Sequence, residues 1–260
     1  GTIRHRLREM VPKHPACEKA FSIAQADLPA PIFNHSFRVF LYAQTFMISE
    51  FPGPDAPGAV TLRHEFKPPP YLEAPSVRDP NRSVALFVAC MLHAYRTDPR
   101  YDATAMRFEL CGADATAKVL GRHGFSVLTI REAWLAVALH TTPRIAEDLN
   151  GIIRALRLAV RADFHCFPLP NLRLLPGGFQ PGELSRLIDA ELPRLDVEKA
   201  LADRIVDWAR NKPDEVFERA KAPRSTWPGE LVEVMRADSQ LSRWRVMGLE
   251  SGTALNRAFY

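Results

Sequence analysis

Three histidines and one aspartate stand at the edges of apolar segments in this chain of 260 residues. His35 begins such a segment, His93 and His140 each end one, and Asp163 follows another. A polar ring or a carboxylate beside a buried face needs a partner. Imidazoles and carboxylates from separate helices are what a metal site inside a helical bundle requires. The four residues therefore predict one buried site that binds a cation or transfers protons.

The spacing of apolar residues predicts the helices that would position these side chains. They span 35–50, 83–93, 103–124, 130–140, 151–163, 182–192 and 196–210, with a short helix at 230–237. We expect Asn34 to cap the first helix and Gly121 or Gly124 to end the third. Segments 51–80 and 167–178 are rich in proline and glycine, which indicates irregular loops. Because strand-like alternation is scarce, the predicted class is an all-α helical bundle.

Composition limits the partners and the compartment. The 34 basic residues are interleaved with 30 acidic ones, without a basic stripe, so we expect no nucleic-acid partner. No apolar stretch is long enough to cross a membrane, and the basic N-terminus lacks the apolar region of a signal peptide. Four cysteines without paired spacing (Cys17, Cys90, Cys111 and Cys166) indicate reduced thiols and a cytoplasmic protein. A homodimer is left open.

Longer motifs surround the candidate residues. They are NHSFRVF at 34–40, RFELCGADA at 107–115 and ALHT at 138–141. With the order His, His and late Asp, these motifs resemble the HD-domain superfamily of metal-dependent phosphohydrolases, and in particular its cyanamide-hydratase-like branch, common in fungi. The implied activity is hydration, hydrolysis or lyase-type chemistry on a small polar metabolite in a buried pocket.

The resemblance also implies a domain organisation. Its specific motifs cover residues 30–170, and it continues more loosely toward the C-terminus. It implies one HD-like helical-bundle domain over 1–260, in which 180–260 form a helical extension.

Roles for the site residues follow from the same resemblance. It implies that His35, His93 and Asp163 bind a divalent ion, zinc or iron, which would lower the pKa of a bound water to about 7. It places His140 in the pocket, either as a partner that orients a metal ligand or as a proton-transfer group, and the candidate catalytic residues are the three histidines. The implied substrate pocket adds four residues, Arg96, Thr97, Arg107 and Glu109.

Two of these pocket residues have other readings. Glu109 also fits an acidic residue in the first turn of a helix, which the helix dipole favours. Arg107 is left to pair with Glu109 or Asp114, or to bind an anionic substrate.

One position departs from the family pattern. The family has aspartate after the second histidine, and this chain has Ala94, whose methyl group cannot bind a metal. Arg96 would bring a positive charge close to the ion, which further disfavours metal binding. The change reflects natural divergence or a deliberate Asp-to-Ala substitution. Divergence is favoured because Tyr95 and Arg96 also differ from the family.

Three functions stay open at this point. The first is the hydration or lyase-type enzyme of the family. The second is a metal-free cyclase, isomerase or dehydratase of specialised metabolism, with His35, His93 and His140 as acids and bases. The third is a non-catalytic protein that binds a small molecule. A nucleotide phosphohydrolase is disfavoured because the sequence has no evident basic phosphate cradle.

Overall fold

Helices make up most of the described structure. The computed structural model describes residues 5–50, 80–95, 106–149, 151–164 and 181–211, together with 226 and 228–229. The helices are α1 (His5–Glu9), α2 (Pro15–Asp27), α3 (Ala30–Glu50), α4 (Pro80–Leu92), α5 (Phe108–Arg122), α6 (Val127–Leu139), α7 (Gly151–Asp163), α8 (Pro181–Glu191) and α9 (Val197–Asn211), with a 3₁₀ turn at Ala146–Asp148. These residues include no β-strand, so the all-α prediction is confirmed.

The apolar helix that leads to His93 lies at the centre of the fold. Every residue of α4 from Val84 to Leu92 is buried. This helix packs against α2, α3, α5, α6 and α7. A helix that is apolar on all sides must be covered on all sides, and this position places His93 in the interior.

Two further pairings bring the other candidate residues to the same place. Helix α3 packs along α7, which carries Asp163 at its last position, and α6 packs against α4, α5 and α7. The predicted boundaries of α7 are confirmed, and its apolar residues are buried as expected. Three helices therefore converge on the end of α4.

The first predicted helix begins earlier than its sequence suggested. Asn34 was expected to cap it, but α3 begins at Ala30, and Asn34 lies inside it. The carbonyl of Pro29 accepts hydrogen bonds from the N–H groups of Ile32 and Phe33, which starts the helix one turn sooner. The side chain of Asn34 instead donates to the carbonyl of Pro193, at 2.9 Å. His35 consequently lies within α3 rather than at its start.

Other boundaries differ for local reasons. Helix α6 begins at Val127 rather than at 130 because the Ser126 hydroxyl accepts from the Thr129 N–H and caps it. Helix α5 is shorter than the predicted 103–124, and Gly124, with φ of 76°, takes the left-handed conformation that follows it. Helix α2 was not predicted, although Pro15 at its first turn and the His14 ring as its N-cap are recognisable signals.

Some predictions lie outside the described residues. They are the loop at 51–80, of which only Pro80 is described, the loop at 167–178, the short helix at 230–237, and the pocket residues Arg96 and Thr97. Within the described ranges, no helix has the length and apolar character that a membrane crossing needs.

Gly112 marks a close approach between α5 and the end of α4. A Cβ atom there would lie 2.6 Å from the carbonyl oxygen of Leu92 and 3.2 Å from that of His93. These are backbone atoms, so α5 would have to shift. We therefore expect Gly112→Ala to lower the free energy of unfolding by about 1–3 kcal/mol, the usual cost of overpacking.

Gly121 on the same helix provides the matched control. The nearest atom that its added Cβ would meet is a side-chain carbon of Ile130 at 3.8 Å, an ordinary contact. Gly121→Ala should therefore raise the free energy of unfolding by roughly 0.4–1 kcal/mol, since alanine restricts the unfolded chain. Urea unfolding of both variants checks the contrast, and equal stabilities would contradict the close approach at Gly112.

Candidate functional site

The four predicted residues meet at one buried point, although they come from four different parts of the chain. His35 belongs to α3, His93 follows α4, His140 follows α6 and Asp163 ends α7. Each of the four is at most 3% exposed. Burial of so many ionisable groups requires that they bind one another or a ligand.

The three histidines form a row. The Nε2 atoms of His35 and His93 lie 3.1 Å apart, and their ring centroids are separated by 5.0 Å. The His140 ring lies edge-on to His93, with a centroid distance of 5.0 Å. At the other end, Nδ1 of His35 lies 2.6 Å from Oδ2 of Asp163. We call His35, His93 and His140 the imidazole row.

Backbone carbonyls fix which nitrogen carries the proton in two of the rings. Nδ1 of His93 donates to the carbonyl of Cys90 at 2.7 Å, and Nδ1 of His140 donates to that of Val137 at 2.6 Å. A carbonyl oxygen only accepts, so each Nδ1 must carry hydrogen. In the neutral rings, Nε2 of His93 and of His140 is therefore an unprotonated acceptor.

Asp163 is held by a buried arginine that the sequence did not single out. Arg38 donates from Nε to Oδ1 at 2.6 Å and from Nη2 to Oδ2 at 2.8 Å, a bidentate pair. Burial raises the pKa of Asp163, but hydrogen bonds from His35 and Arg38 outweigh it and hold that pKa well below its usual value. Asp163 is therefore a carboxylate, and its two oxygens are occupied by side-chain donors.

Arg38 and Arg194 also connect the site to the segment between α8 and α9. Nη1 of Arg38 donates to the carbonyl of Leu192 at 2.9 Å. Arg194 donates to the backbone carbonyl of Asp163 and lies over the ring of Phe164. The signal for Arg38 was its place three residues after His35 in an otherwise apolar stretch. Arg194 had no such signal.

The hydrogen-bond chain from Cys90 to Asp163 needs one proton more than neutral rings supply. It contains three bonds: Cys90 carbonyl to His93, His93 to His35, and His35 to Asp163. Each bond requires one hydrogen, and two neutral imidazoles carry only two. Without the third, the Nε2 lone pairs of His35 and His93 face each other. A third hydrogen between these two atoms would complete the chain and would carry one additional positive charge.

Burial weakens the hold of the row on that proton. Burial lowers the pKa of His35, opposed by the hydrogen bond and charge of Asp163. Burial also lowers the pKa of His93 well below its usual value, helped by the neighbouring His140 and His35. For His140, burial outweighs the opposing charge of Glu109 and lowers the pKa to about 4.

The lowered pKa values of the three histidines predict how the free energy of unfolding depends on pH. A histidine whose pKa is lower in the folded state binds fewer protons than in the unfolded chain, so stability falls as pH falls from about 6.5 toward 4. For His140 alone, the span from 6.5 to about 4 corresponds to about 3 kcal/mol. We expect His140→Phe to flatten the pH dependence of the free energy of unfolding. Phe108→Leu is the control, because it alters packing against His140 but removes no ionisable group, and its free energy of unfolding should depend on pH as in the unmodified protein. The same pH dependence in all three proteins would contradict a lowered pKa at His140.

A second buried carboxylate lies near the His140 end of the row. Glu109 is 1% exposed and accepts from Arg107 and from the hydroxyl of Thr141, each at 2.6 Å. Arg107 therefore pairs with Glu109, and Asp114 accepts instead from the Trp134 ring at 2.8 Å. Glu109 lies in the first turn of α5, as one interpretation held, but it is buried and bonded to the segment that follows α6. Arg107 and Glu109 thus lie beside the row.

The side chains present differ from the metal-ligand set that the resemblance implies. Ala94 is buried and offers only a methyl group. A metal bound to Asp163 would have to displace hydrogen bonds from Arg38 and His35. Within the described ranges, no group of three or more His, Cys, Asp and Glu side chains is placed to bind an ion. Metal ligation by His35, His93 and Asp163 therefore stays a prediction.

Comparison with known proteins adds no assignment. No protein-family model matches the chain, and no curated protein sequence is significantly similar to it. Membership of the HD-domain superfamily, and the single domain over residues 1–260, likewise stay predictions.

Proposed function

We propose that this protein is an enzyme that transfers protons to and from a small polar molecule through the imidazole row, in hydration or lyase-type chemistry. The observation that carries the proposal is the hydrogen-bond chain from Cys90 to Asp163. That chain calls for one proton between His35 and His93, in surroundings that lower the pKa of both rings. A proton that completes the hydrogen-bond chain but is bound weakly can be donated to a substrate and later recovered.

The row provides an acid and a base side by side. The proton shared by His35 and His93 is the acid, and the free Nε2 of His140 is the base. In hydration of a carbon–nitrogen triple bond, the shared proton would pass to the substrate nitrogen. His140 would accept a proton from the water that attacks the carbon. Return of that proton from His140 to the His35–His93 pair restores the starting state, and dehydration would run through the same steps in reverse.

Asp163 and Arg38 would supply the electrostatic balance of this cycle. The carboxylate accepts from His35 at 2.6 Å and compensates the charge of the shared proton. The guanidinium keeps that carboxylate ionised throughout, because it occupies both oxygens. The proposed chemistry thus belongs to the metal-free alternative, while its reaction class is the one that the family resemblance implies.

Histidine NMR tests the proposal without knowledge of the substrate. In chelator-treated protein with ¹⁵N-labelled histidines, lowering the pH from about 8 to about 5 should add one proton to the His35–His93 pair, with a low-field signal from a proton between two ring nitrogens. His123 serves as the reference for a ring protonated at Nδ1, because its Nδ1 also donates to a carbonyl, at 2.7 Å. Uptake of two protons by two independent rings, or of none, would contradict the proposal.

A further inference from the structure

Arg157 is a completely buried arginine that the proposed chemistry does not use. It lies on α7, six residues before Asp163, and is 1% exposed. Burial of a guanidinium is costly unless its donors are bonded and its charge is paired. Its Nη1 donates to the carbonyl of His140 at 2.9 Å, and its Nε donates to Oε1 of Glu147 at 2.8 Å.

These two bonds hold both ends of the segment that connects α6 to the 3₁₀ turn. His140 is the residue at which α6 ends, and Glu147 belongs to the 3₁₀ turn that precedes α7. Between them, Arg144 has φ of 62°, an unfavourable conformation for a residue other than glycine. One guanidinium therefore joins the end of α6 to the turn across a strained segment.

The backbone N–H of His140 makes only a long hydrogen bond within the last turn of α6. It reaches the Val137 carbonyl only at 3.5 Å, which is long for such a bond. The ring is oriented by its Nδ1 bond to the same carbonyl at 2.6 Å. If the backbone of His140 moved, that ring bond would be lost and Nδ1 would no longer be the fixed position of the proton.

We propose that Arg157 is the positioning residue for His140, which it fixes through the backbone carbonyl so that Nε2 stays free as the base of the row. Helix α7 then orients both ends of the row, since Asp163 holds the His35 ring and Arg157 holds the His140 backbone. The catalytic importance of this role rests on the proposed function; the positioning itself does not.

The test is ¹⁵N NMR of labelled histidines in Arg157→Met. We expect the two ring nitrogen signals of His140 to move toward each other, as in a mixture of tautomers, while those of His35 keep their positions. Guanidinium chloride at a non-denaturing concentration should move the His140 signals back. Arg161→Met is the matched control, because Arg161 lies on the same helix and pairs with the same carboxylate, with Nη1 at 3.6 Å from Oε1 of Glu147.

Arg157→Lys keeps the test decisive if the methionine variant does not fold. A single ammonium group cannot bridge His140 and Glu147 as the guanidinium does, so the same signals should move by a smaller amount. Unchanged His140 signals in either folded variant would overturn the proposal, as would an equal movement in Arg161→Met. If Arg157→Met loses the fixed His140 tautomer while His140→Ala keeps full activity, the positioning role is supported and the proposed function is refuted.

Discussion

Replacement of Arg38 by methionine is expected to lower the free energy of unfolding by about 3–5 kcal/mol, the usual cost of leaving one partner of a buried ion pair uncompensated. Arg38 and Asp163 are each 1% exposed, and the guanidinium donates to both carboxylate oxygens. Its removal also takes a donor from the carbonyl of Leu192. Urea unfolding at neutral pH provides the measurement.

Two further variants separate charge from packing. Arg38→Met combined with Asp163→Asn should recover part of the loss, because no buried charge then stands alone. Arg194→Met should cost much less, since the Arg194 side chain is 30% exposed and lies 3.7 Å from Oδ1 of Asp163. A loss below about 1 kcal/mol for Arg38→Met, as for an exposed pair, would show that Arg38 is not the main partner of Asp163.

Substitution of His93 by alanine is expected to reduce kcat/KM at least about a hundredfold, the scale of a lost acid–base group. His93 is the central ring of the row, in contact with both His35 and His140. Its loss would remove one of the two rings that share the acid proton. The assay would use cyanamide and other small nitriles, the substrate class that the family resemblance implies.

His123→Ala is the control for this substitution. It makes the same chemical change at a histidine on the far end of α5, outside the row. Its kcat/KM should match that of the unmodified protein. Retention of more than about one tenth of the activity by folded His93→Ala would remove His93 from the mechanism, since acid–base groups contribute more than that.

The convergence of the site could be predicted because its signal is local. A histidine that ends an apolar helix, as His93 does, must lie where that helix is buried and find a partner there. The same reasoning applied to His140 and Asp163. The fold class followed from the period of the apolar residues, which tertiary contacts seldom override in long segments.

The partners of the site could not be predicted because they depend on contacts distant in sequence. Arg38 is bound to carbonyls more than 150 residues away, between α8 and α9. The predicted start of α3 was wrong for a related reason, since Asn34 bonds to the carbonyl of Pro193 instead of capping the helix. When a polar side chain bonds to a residue far away in the sequence, the neighbouring residues carry no pattern that would predict it.

The presence of Glu109 beside the row was anticipated only through the family motif. The other interpretation was an acid in the first turn of a helix, and Glu109 does lie in the first turn of α5. The structure buries it because Arg107 and Thr141 satisfy the carboxylate from two sides. A hydroxyl directly after a site histidine is a signal that could be sought in other sequences.

Assay of the protein before and after chelator treatment tests the account most directly. Ala94→Asp is measured beside it, because it introduces the carboxylate that the HD-domain pattern, which the sequence resembles, has at this position. We predict that removal of metal leaves the rate of the unmodified protein unchanged, and that elemental analysis finds more bound metal in Ala94→Asp after identical purification. An activity that chelation abolishes and that zinc, iron or manganese restores would contradict proton transfer by the imidazole row alone.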